Sequence, residues 1–105
     1  MNSIFNNAKI LITGGGGYLG SKLAEKLVNY NSTISLVDIH FNDLSEKLNK
    51  TKSNITLYEC DITNFEQLTL ICKEINPTII YHFAALLERS RDFSLYHKLY
   101  KVNVE

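Results

Sequence analysis

The chain has 105 residues, enough for one small domain and too few for two. Its 11 basic and 11 acidic residues balance to a formal net charge of zero, so the composition gives no basic footprint for nucleic acid or an anionic membrane. No apolar run is long enough to span a bilayer, and the first residues lack the apolar core of a signal peptide, so we expect a cytoplasmic protein. Cys60 and Cys72 fit no metal or redox spacing and are predicted to be core residues.

The predicted elements alternate between strands and helices along the chain. Apolar, β-branched runs predict strands over residues 9–13, 33–38, 55–60 and 78–85. Apolar residues at helical spacing predict helices over residues 18–30, 43–50, 64–75 and 92–105, with Asn64 as an N-cap and Pro77 after the end of the third helix. This alternation predicts an α/β fold, a doubly wound parallel sheet of the Rossmann type with strand order 3-2-1-4.

A glycine-rich segment, TGGGGYLGSK, lies between the first predicted strand and the first helix. In such a sheet this turn lies at the carboxyl edge, beside the point where ligands bind. Gly14, Gly17 and Gly20 fit the pattern G-x-x-G-x-x-G. We expect Gly14 to allow a tight turn, Gly17 to admit a pyrophosphate, and Gly20 to let the helix pack closely on the sheet. The helix N-terminus would offer free N–H groups to the phosphates; the alternative is a flexible loop without a ligand.

Asp38 ends the second predicted strand, eighteen residues beyond Gly20. A carboxylate at this spacing can accept hydrogen bonds from both hydroxyls of an adenosine ribose. It would repel the 2′-phosphate of NADP, so we expect NAD as the cofactor. The alternative is a solvated aspartate at the end of a strand.

Several segments together resemble a known family. TGGGGYLG, LVD, CDIT and IIYHFAA, with YKVNVE at the end, are similar to the extended short-chain dehydrogenase/reductase family. Within it they resemble the NAD-dependent epimerase/dehydratase group, which acts on nucleotide sugars. The resemblance runs from about Lys9 to Glu105 and implies an N-terminal tail, residues 1–8, before an NAD-binding domain, residues 9–105.

The resemblance also implies cofactor contacts after the glycine turn, around the adenine and beyond the fourth strand. In that order, the residues are Tyr18 and Leu19; Asp61 and Ile62; and Phe83, Ala84 and Ala85. It gives Asn103 a structural role.

Tyr18 and Lys22 form the one Tyr-x-x-x-Lys pattern in the chain, and this spacing is the catalytic signature of the family. The resemblance places the family's catalytic pair further along, after a fifth strand and beside the nicotinamide. We therefore interpret the match as chance, with Tyr18 packed beside the glycine turn and Lys22 in solvent. We expect this chain to be the NAD-binding first part of an epimerase or dehydratase and not to be catalytic by itself. The alternatives are a regulatory NAD-binding module and a remnant of a truncated gene.

The remaining candidates carry less. His40, His82 and His97 fit no metal site, and His82 is predicted to be a hydrogen-bonded core histidine. Arg89 and Arg91 follow the fourth strand, where they would meet substrate phosphates or belong to a solvated loop. If the fourth strand has no further neighbour, its apolar edge would favour self-association.

Overall fold

The computed structural model describes residues 4–83, which form a four-stranded parallel sheet covered by helices on both faces. The strands are β1 Lys9–Thr13, β2 Thr33–Asp38, β3 Ile55–Glu59 and β4 Ile79–His82. The helices are α1 Tyr18–Leu27, α2 Asp43–Thr51 and α3 Phe65–Ile75. Their order in the sheet is β3-β2-β1-β4, which confirms the predicted fold and strand order. The last predicted helix, residues 92–105, lies outside the described residues.

Each strand contributes to two separate cores because successive side chains point to opposite faces of a sheet. In β1, Ile10 and Ile12 pack with α1 and α2, whereas Leu11 packs in the cluster that contains α3. Cys60 and Cys72 are buried in this second cluster, as predicted. Burial, and then the neighbouring Asp61 carboxylate, raise the pKa of the Cys60 thiol, which keeps it protonated and unreactive.

The helix ends depend on local hydrogen bonds. α1 ends at Leu27 rather than near Tyr30, and the Leu27 carbonyl, one of the last acceptors of the helix, accepts from the Tyr30 N–H at 3.0 Å and from the Ser32 hydroxyl at 3.3 Å. α3 begins after its N-cap Asn64 and ends before Pro77, as predicted. β4 spans Ile79–His82, so it begins one residue later than predicted, and residues 84 and 85 of the predicted strand lie outside the described residues.

The amino edge of the sheet is closed by the segment before β1. The Phe5 ring lies 5.2 Å from the Tyr30 ring, and the Asn31 side-chain amide donates to Asn7 Oδ1 at 2.8 Å. These contacts join the start of β1 to the loop after α1. No helix within residues 4–83 is long and apolar enough to cross a membrane.

Candidate functional site

The candidate site lies at the carboxyl edge, where β1 leads through four glycines into α1. From β1 the chain runs outward on one side to β2 and β3, and it then crosses back through α3 to β4 on the other side of β1, so the strand order reverses at β1 and this is the switch point of the fold. Gly14 adopts a φ of 77°, a conformation that favours glycine, and its N–H donates to the Val37 carbonyl at 2.8 Å. The turn closes with the Gly17 N–H on the Gly14 carbonyl at 3.1 Å, which confirms the predicted tight turn.

The glycines after Gly14 differ in how closely their surroundings approach. A Cβ on Gly15 would lie 2.6 Å from the Leu36 Cβ, and one on Gly16 would lie 1.8 Å from the His40 carbonyl oxygen. Neither distance leaves room for a side chain, so both glycines are required by packing. The sequence pattern treated these two positions as spacers and missed this requirement.

Gly20 and Gly17 differ in whether their surroundings leave room for a Cβ. A Cβ on Gly20 would lie 2.4 Å from the Gly14 carbonyl oxygen. The predicted close packing at Gly20 is therefore present, although its partner is the turn itself rather than a strand. A Cβ on Gly17 would make one ordinary contact, 3.6 Å from the same oxygen. Gly17 has φ −93° and ψ −178°, which any residue adopts, so the described chain itself does not require glycine there.

The N-terminus of α1 is open. Its N-cap, Gly17, provides no side-chain hydrogen bond, and its first turn holds no acidic residue. Within residues 4–83, no acceptor bonds the backbone N–H groups of Tyr18, Leu19 and Gly20. The Tyr18 side chain is 72% exposed and that of Leu19 53% exposed, so the prediction that Tyr18 packs beside the turn is wrong. These N–H groups and the helix dipole suit an anion.

Asp38 lies beside this helix end, at the carboxyl end of β2. Its Oδ2 accepts from the Gly16 N–H at 3.0 Å and its Oδ1 from the Ile39 N–H at 2.7 Å. A carboxylate has about four acceptor positions, so two remain for a ligand. The structure thus adds a second role, unforeseen from the sequence: Asp38 holds the glycine turn.

The Asp61 and Ile62 pair follows β3 at the same edge. Asp61 Oδ1 accepts from the Thr63 N–H at 2.9 Å and the Thr63 hydroxyl at 2.8 Å, and these bonds lower the pKa of the exposed Asp61 carboxyl. Ile62 is buried in the core cluster of α3. Asp61 is therefore ionised and accessible, whereas Ile62 anchors the loop after β3 by packing in the core.

The end of β4 completes the edge. His82 is partly buried and hydrogen-bonded through Nδ1 to the Thr13 hydroxyl of β1, as predicted for a core histidine, and burial lowers its pKa. Phe83 packs against the core shared with α1 and α2, and its ring stacks with that of Tyr81 at 6.4 Å. Ala84 and Ala85 lie outside the described residues, as do Arg89, Arg91, His97 and Asn103.

The two residues of the Tyr-x-x-x-Lys pattern have different surroundings: Tyr18 is exposed to solvent, and Lys22 forms an ion pair. Lys22 Nζ lies 3.3 Å from Glu25 Oε1, and both side chains are about half exposed. Lys22 therefore extends toward solvent, as predicted. Among residues 4–83, no group of three histidine, cysteine or acidic side chains is placed to hold a metal ion.

Sequence reasoning missed Asn42. Its side chain caps α2 by accepting from the Ser45 N–H at 2.9 Å and donates to the Ser21 hydroxyl of α1 at 3.0 Å. An asparagine directly before a predicted helix is the signal that could have identified the cap. No local pattern reveals the bond to α1, because its partners are 21 residues apart.

Comparison with known proteins identifies the family to which the chain is similar. The sequence model of the GDP-mannose 4,6 dehydratase family matches residues 11–105. The UDP-glucose 4-epimerase of Bacillus subtilis is 31% identical over 99 residues, which cover 90% of this chain and 29% of that enzyme. The UDP-glucose 4-epimerase of Mycoplasma pneumoniae is 32% identical over 80 residues, covering 74% of this chain and 23% of that enzyme.

Solved structures give the same result. The Bordetella bronchiseptica enzyme WbmG, solved in complex with NAD, matches with a TM-score of 0.64 and 27% identity over 73% of this chain and 24% of WbmG. The Thermotoga maritima UDP-glucose 4-epimerase, solved with UDP-glucose, matches with a TM-score of 0.56 and 30% identity over 70% of this chain and 23% of that enzyme. The chain thus spans less than a third of the length of these relatives. It belongs to the NAD-dependent epimerase/dehydratase group of the extended short-chain dehydrogenase/reductase family and corresponds to the N-terminal portion of that family's fold.

Proposed function

We propose that this chain binds NAD at the glycine turn and forms the cofactor-binding part of a nucleotide-sugar epimerase or dehydratase. The NAD-binding domain would comprise residues 9–105 and act in the cytoplasm. NAD supplies hydride transfer when it is bound; the described residues would hold its adenosine and pyrophosphate.

Gly17 carries the proposal. The other glycines of the chain are accounted for by a positive φ at Gly14 or by contacts that a Cβ would violate. Gly17 has neither reason, yet it stands at the open end of α1, where a side chain would project toward the unpaired N–H groups. A ligand that approaches the backbone closely would require glycine there. A pyrophosphate fits this position because both the N–H groups and the helix dipole favour negative charge.

The ribose would bind at Asp38. Gly16 lies between this carboxylate and the open helix end, so a ligand on the Tyr18 N–H is also within reach of Asp38. The acceptor positions that remain on Asp38 suit two vicinal hydroxyls. A 2′-phosphate would replace one such bond by repulsion, and both arginines of the chain, Arg89 and Arg91, lie far along the sequence. We therefore propose NAD rather than NADP.

The adenine and the far half of the cofactor complete the proposal. Asp61 would accept from the adenine amino group, since its Oδ2 has no hydrogen-bond partner within residues 4–83. Tyr18, Leu19 and Ile62 would border the dinucleotide, with Phe83 at the end of β4. Ala84 and Ala85 belong to the same proposed lining.

The proposal excludes a catalytic role for Tyr18. Tyr18 stands at the pyrophosphate end of the proposed site, and Lys22, the lysine of the same pattern, is paired with Glu25. The chain by itself is therefore proposed to bind without turnover. The substrate class, a nucleotide sugar, is supported by the UDP that accompanies NAD in a second WbmG structure and by the epimerase relatives.

Calorimetric titration tests this function. We expect the chain to bind ADP-ribose nearly as tightly as NAD, because the contacts proposed here serve the shared half of the two ligands. AMP, which lacks the second phosphate, should bind at least about tenfold more weakly. A folded sample that binds neither ADP-ribose nor NAD would contradict the proposal. Turnover of a nucleotide sugar that disappears in Tyr18→Phe would contradict the non-catalytic assignment.

The outer edge of β4 supports a second, separate proposal, self-association. Within residues 4–83, β4 pairs with β1 alone, and all four of its residues are partly exposed. Unpaired strand edges template pairing with other chains. We expect the 105-residue chain to associate at high concentration. Light scattering that shows a clean monomer would contradict this.

A further inference from the structure

Asn42 bridges two helices at the candidate site. Its Oδ1 caps α2, its Nδ2 donates to Ser21 Oγ at 3.0 Å, and its backbone N–H donates to the Gly16 carbonyl at 2.9 Å. A single residue of the loop after β2 therefore contacts both the glycine turn and the first turn of α1.

The Ser21 hydroxyl also makes a second hydrogen bond, in which it is the donor because its partner, a carbonyl oxygen, can only accept. A hydroxyl has one O–H, and when Ser21 Oγ accepts from Asn42 its own hydrogen is left to donate elsewhere. Ser21 Oγ lies 2.7 Å from the Gly17 carbonyl oxygen, the shorter of its two carbonyl contacts. The result is a relay that runs from the Asn42 amide through the Ser21 hydroxyl to the Gly17 carbonyl.

The relay controls the first free N–H of α1. The Gly17 carbonyl and the Tyr18 N–H belong to one planar trans peptide, so they point in opposite directions. When the carbonyl is held toward Ser21, the N–H is held outward, at the open helix end. The two preceding peptides are held as well: the Gly15–Gly16 peptide donates its N–H to Asp38, and the carbonyl of the Gly16–Gly17 peptide accepts from the Asn42 N–H.

We propose that Asn42 is a positioning residue that, through Ser21, aims the Tyr18 N–H at the diphosphate of a bound dinucleotide. This inference rests on the proposed function, because the diphosphate is its ligand. A preorganised donor spends less of the interaction energy on ordering when the ligand arrives. Asn42 also joins the ribose-binding loop to the phosphate-binding turn, so the two halves of the adenosine diphosphate site keep a fixed spacing.

Asn42→Ser separates this role from helix capping. Serine caps a helix about as well as asparagine, so α2 retains its cap, but serine has no amide to reach Ser21. Asn54→Ser is the matched control. Asn54 is also partly buried, and its Nδ2 donates to the Ser32 carbonyl at 2.7 Å, at the opposite edge of the sheet.

The experiment measures ADP-ribose affinity by calorimetry and the thermal midpoint of unfolding for wild type and variants. We expect Asn42→Ser to raise the dissociation constant about 3- to 10-fold, the loss of one neutral hydrogen bond. Ser21→Ala should do the same from the other side of the bond, and the double variant should be no worse than either single one. Asn54→Ser should lower the thermal midpoint and leave the affinity within about twofold. Unchanged affinity in both Asn42→Ser and Ser21→Ala, additive losses in the double variant, or an equal loss in Asn54→Ser would overturn the proposal.

Hydrogen exchange without ligand separates this proposal from the proposed function. The Ser21 N–H donates to the Gly17 carbonyl at 3.0 Å and reports on that peptide. We expect its exchange to be faster in Asn42→Ser and unchanged in Asn54→Ser. If folded wild type binds no ADP-ribose, the proposed function fails while this exchange still judges the relay. Equal Ser21 exchange in wild type and Asn42→Ser would overturn the relay itself.

Discussion

The N-terminus of α1 differs from those of α2 and α3, although all three follow strands at the same edge of the sheet. α2 is capped by Asn42 and α3 by Asn64, whose Oδ1 accepts from the Gln67 N–H at 3.1 Å. Both helices also carry acids in the first turn, whereas α1 begins at Gly17 with neither a cap nor an acid. Within residues 4–83 the chain satisfies two of these helix ends itself, and the third is the one at which we propose that a ligand binds.

The missing cap of α1 is explained better by a requirement for anion binding at the helix end than by poor local stability. Relative to glycine, an N-cap side chain contributes only about a few tenths of a kcal/mol, and the conformation of Gly17 would accept one. A capping side chain would, however, occupy the space where an anion reaches the same N–H groups. The cost of the missing cap is therefore consistent with a site.

A capping side chain at Gly17 would remove the difference between α1 and the other two helices. We predict that Gly17→Asp keeps or raises the free energy of unfolding, since aspartate caps the helix and complements its dipole. It should lower ADP-ribose affinity at least about 100-fold, because the carboxylate occupies and repels the diphosphate position. Urea unfolding and calorimetry measure the two effects. Binding within threefold of wild type would contradict the prediction.

Substitution of Asp38 tests the proposed contact with the ribose. We predict a preference for NAD over NADP of at least about tenfold, which Asp38→Asn reduces because a charged hydrogen bond is worth about 1.5–3 kcal/mol. Asparagine keeps one oxygen for the Gly16 or Ile39 N–H, so the turn should persist. Glu59→Gln is the control, since Glu59 is the register partner of Asp38 on β3. Equal affinity of wild type for NAD and NADP, in a direct titration, would refute this prediction.

A matched pair of substitutions separates packing from binding within the turn. Gly20→Ser should lower the free energy of unfolding by about 1–3 kcal/mol, because its Cβ would lie 2.4 Å from the Gly14 carbonyl oxygen. Gly17→Ser should leave stability unchanged and lower ADP-ribose affinity about tenfold. Denaturant midpoints and titrations for both variants check this. A Gly17→Ser protein as destabilised as Gly20→Ser would contradict it.

The closed end of α3 should behave as a structural cap alone. Asn64→Ala is predicted to lower the free energy of unfolding by about 1 kcal/mol and leave ADP-ribose affinity within twofold. Urea unfolding and calorimetry again provide the readouts. A tenfold loss of affinity would show that the end of α3 belongs to the site, contrary to the comparison.

The smallest effect concerns the other end of the edge, where Thr13 of β1 bonds His82 of β4. Burial lowers the pKa of His82, so the unfolded chain binds more protons below the ordinary value of about 6.5. We predict that the free energy of unfolding falls as the pH is lowered from 7 through this value. His82→Gln should flatten that fall in urea titrations between pH 7 and 5. An identical pH slope in both proteins would exclude His82 as its source.

The sequence predicted the architecture well because strand and helix periodicities are local. Alternating apolar runs were enough for the order β3-β2-β1-β4 and for the placement of Gly14, Gly17 and Gly20 at its carboxyl edge. Element ends were less accurate, as at Leu27, because apolar spacing does not reveal the bonds that its carbonyl accepts from the Tyr30 N–H and the Ser32 hydroxyl.

The candidate site was predicted only in part, because its bracing is non-local. The steric demand at Gly16 comes from His40, and the positioning bond to Ser21 comes from Asn42. Neither follows from residue types or spacing. The exposure of Tyr18 was also missed, since an aromatic residue at the start of a helix gives no periodic signal of its direction.

Amide chemical shifts during an ADP-ribose titration test most directly whether the uncapped N-terminus of α1 binds the diphosphate. We predict large shifts for the N–H groups of Tyr18, Leu19 and Gly20, which are bonded by no acceptor among residues 4–83. We predict little change at Gln67, whose N–H is already bonded to Asn64. Saturating ADP-ribose that leaves the α1 amides unmoved in a folded sample, or moves the first turn of α3 as much, would contradict the account.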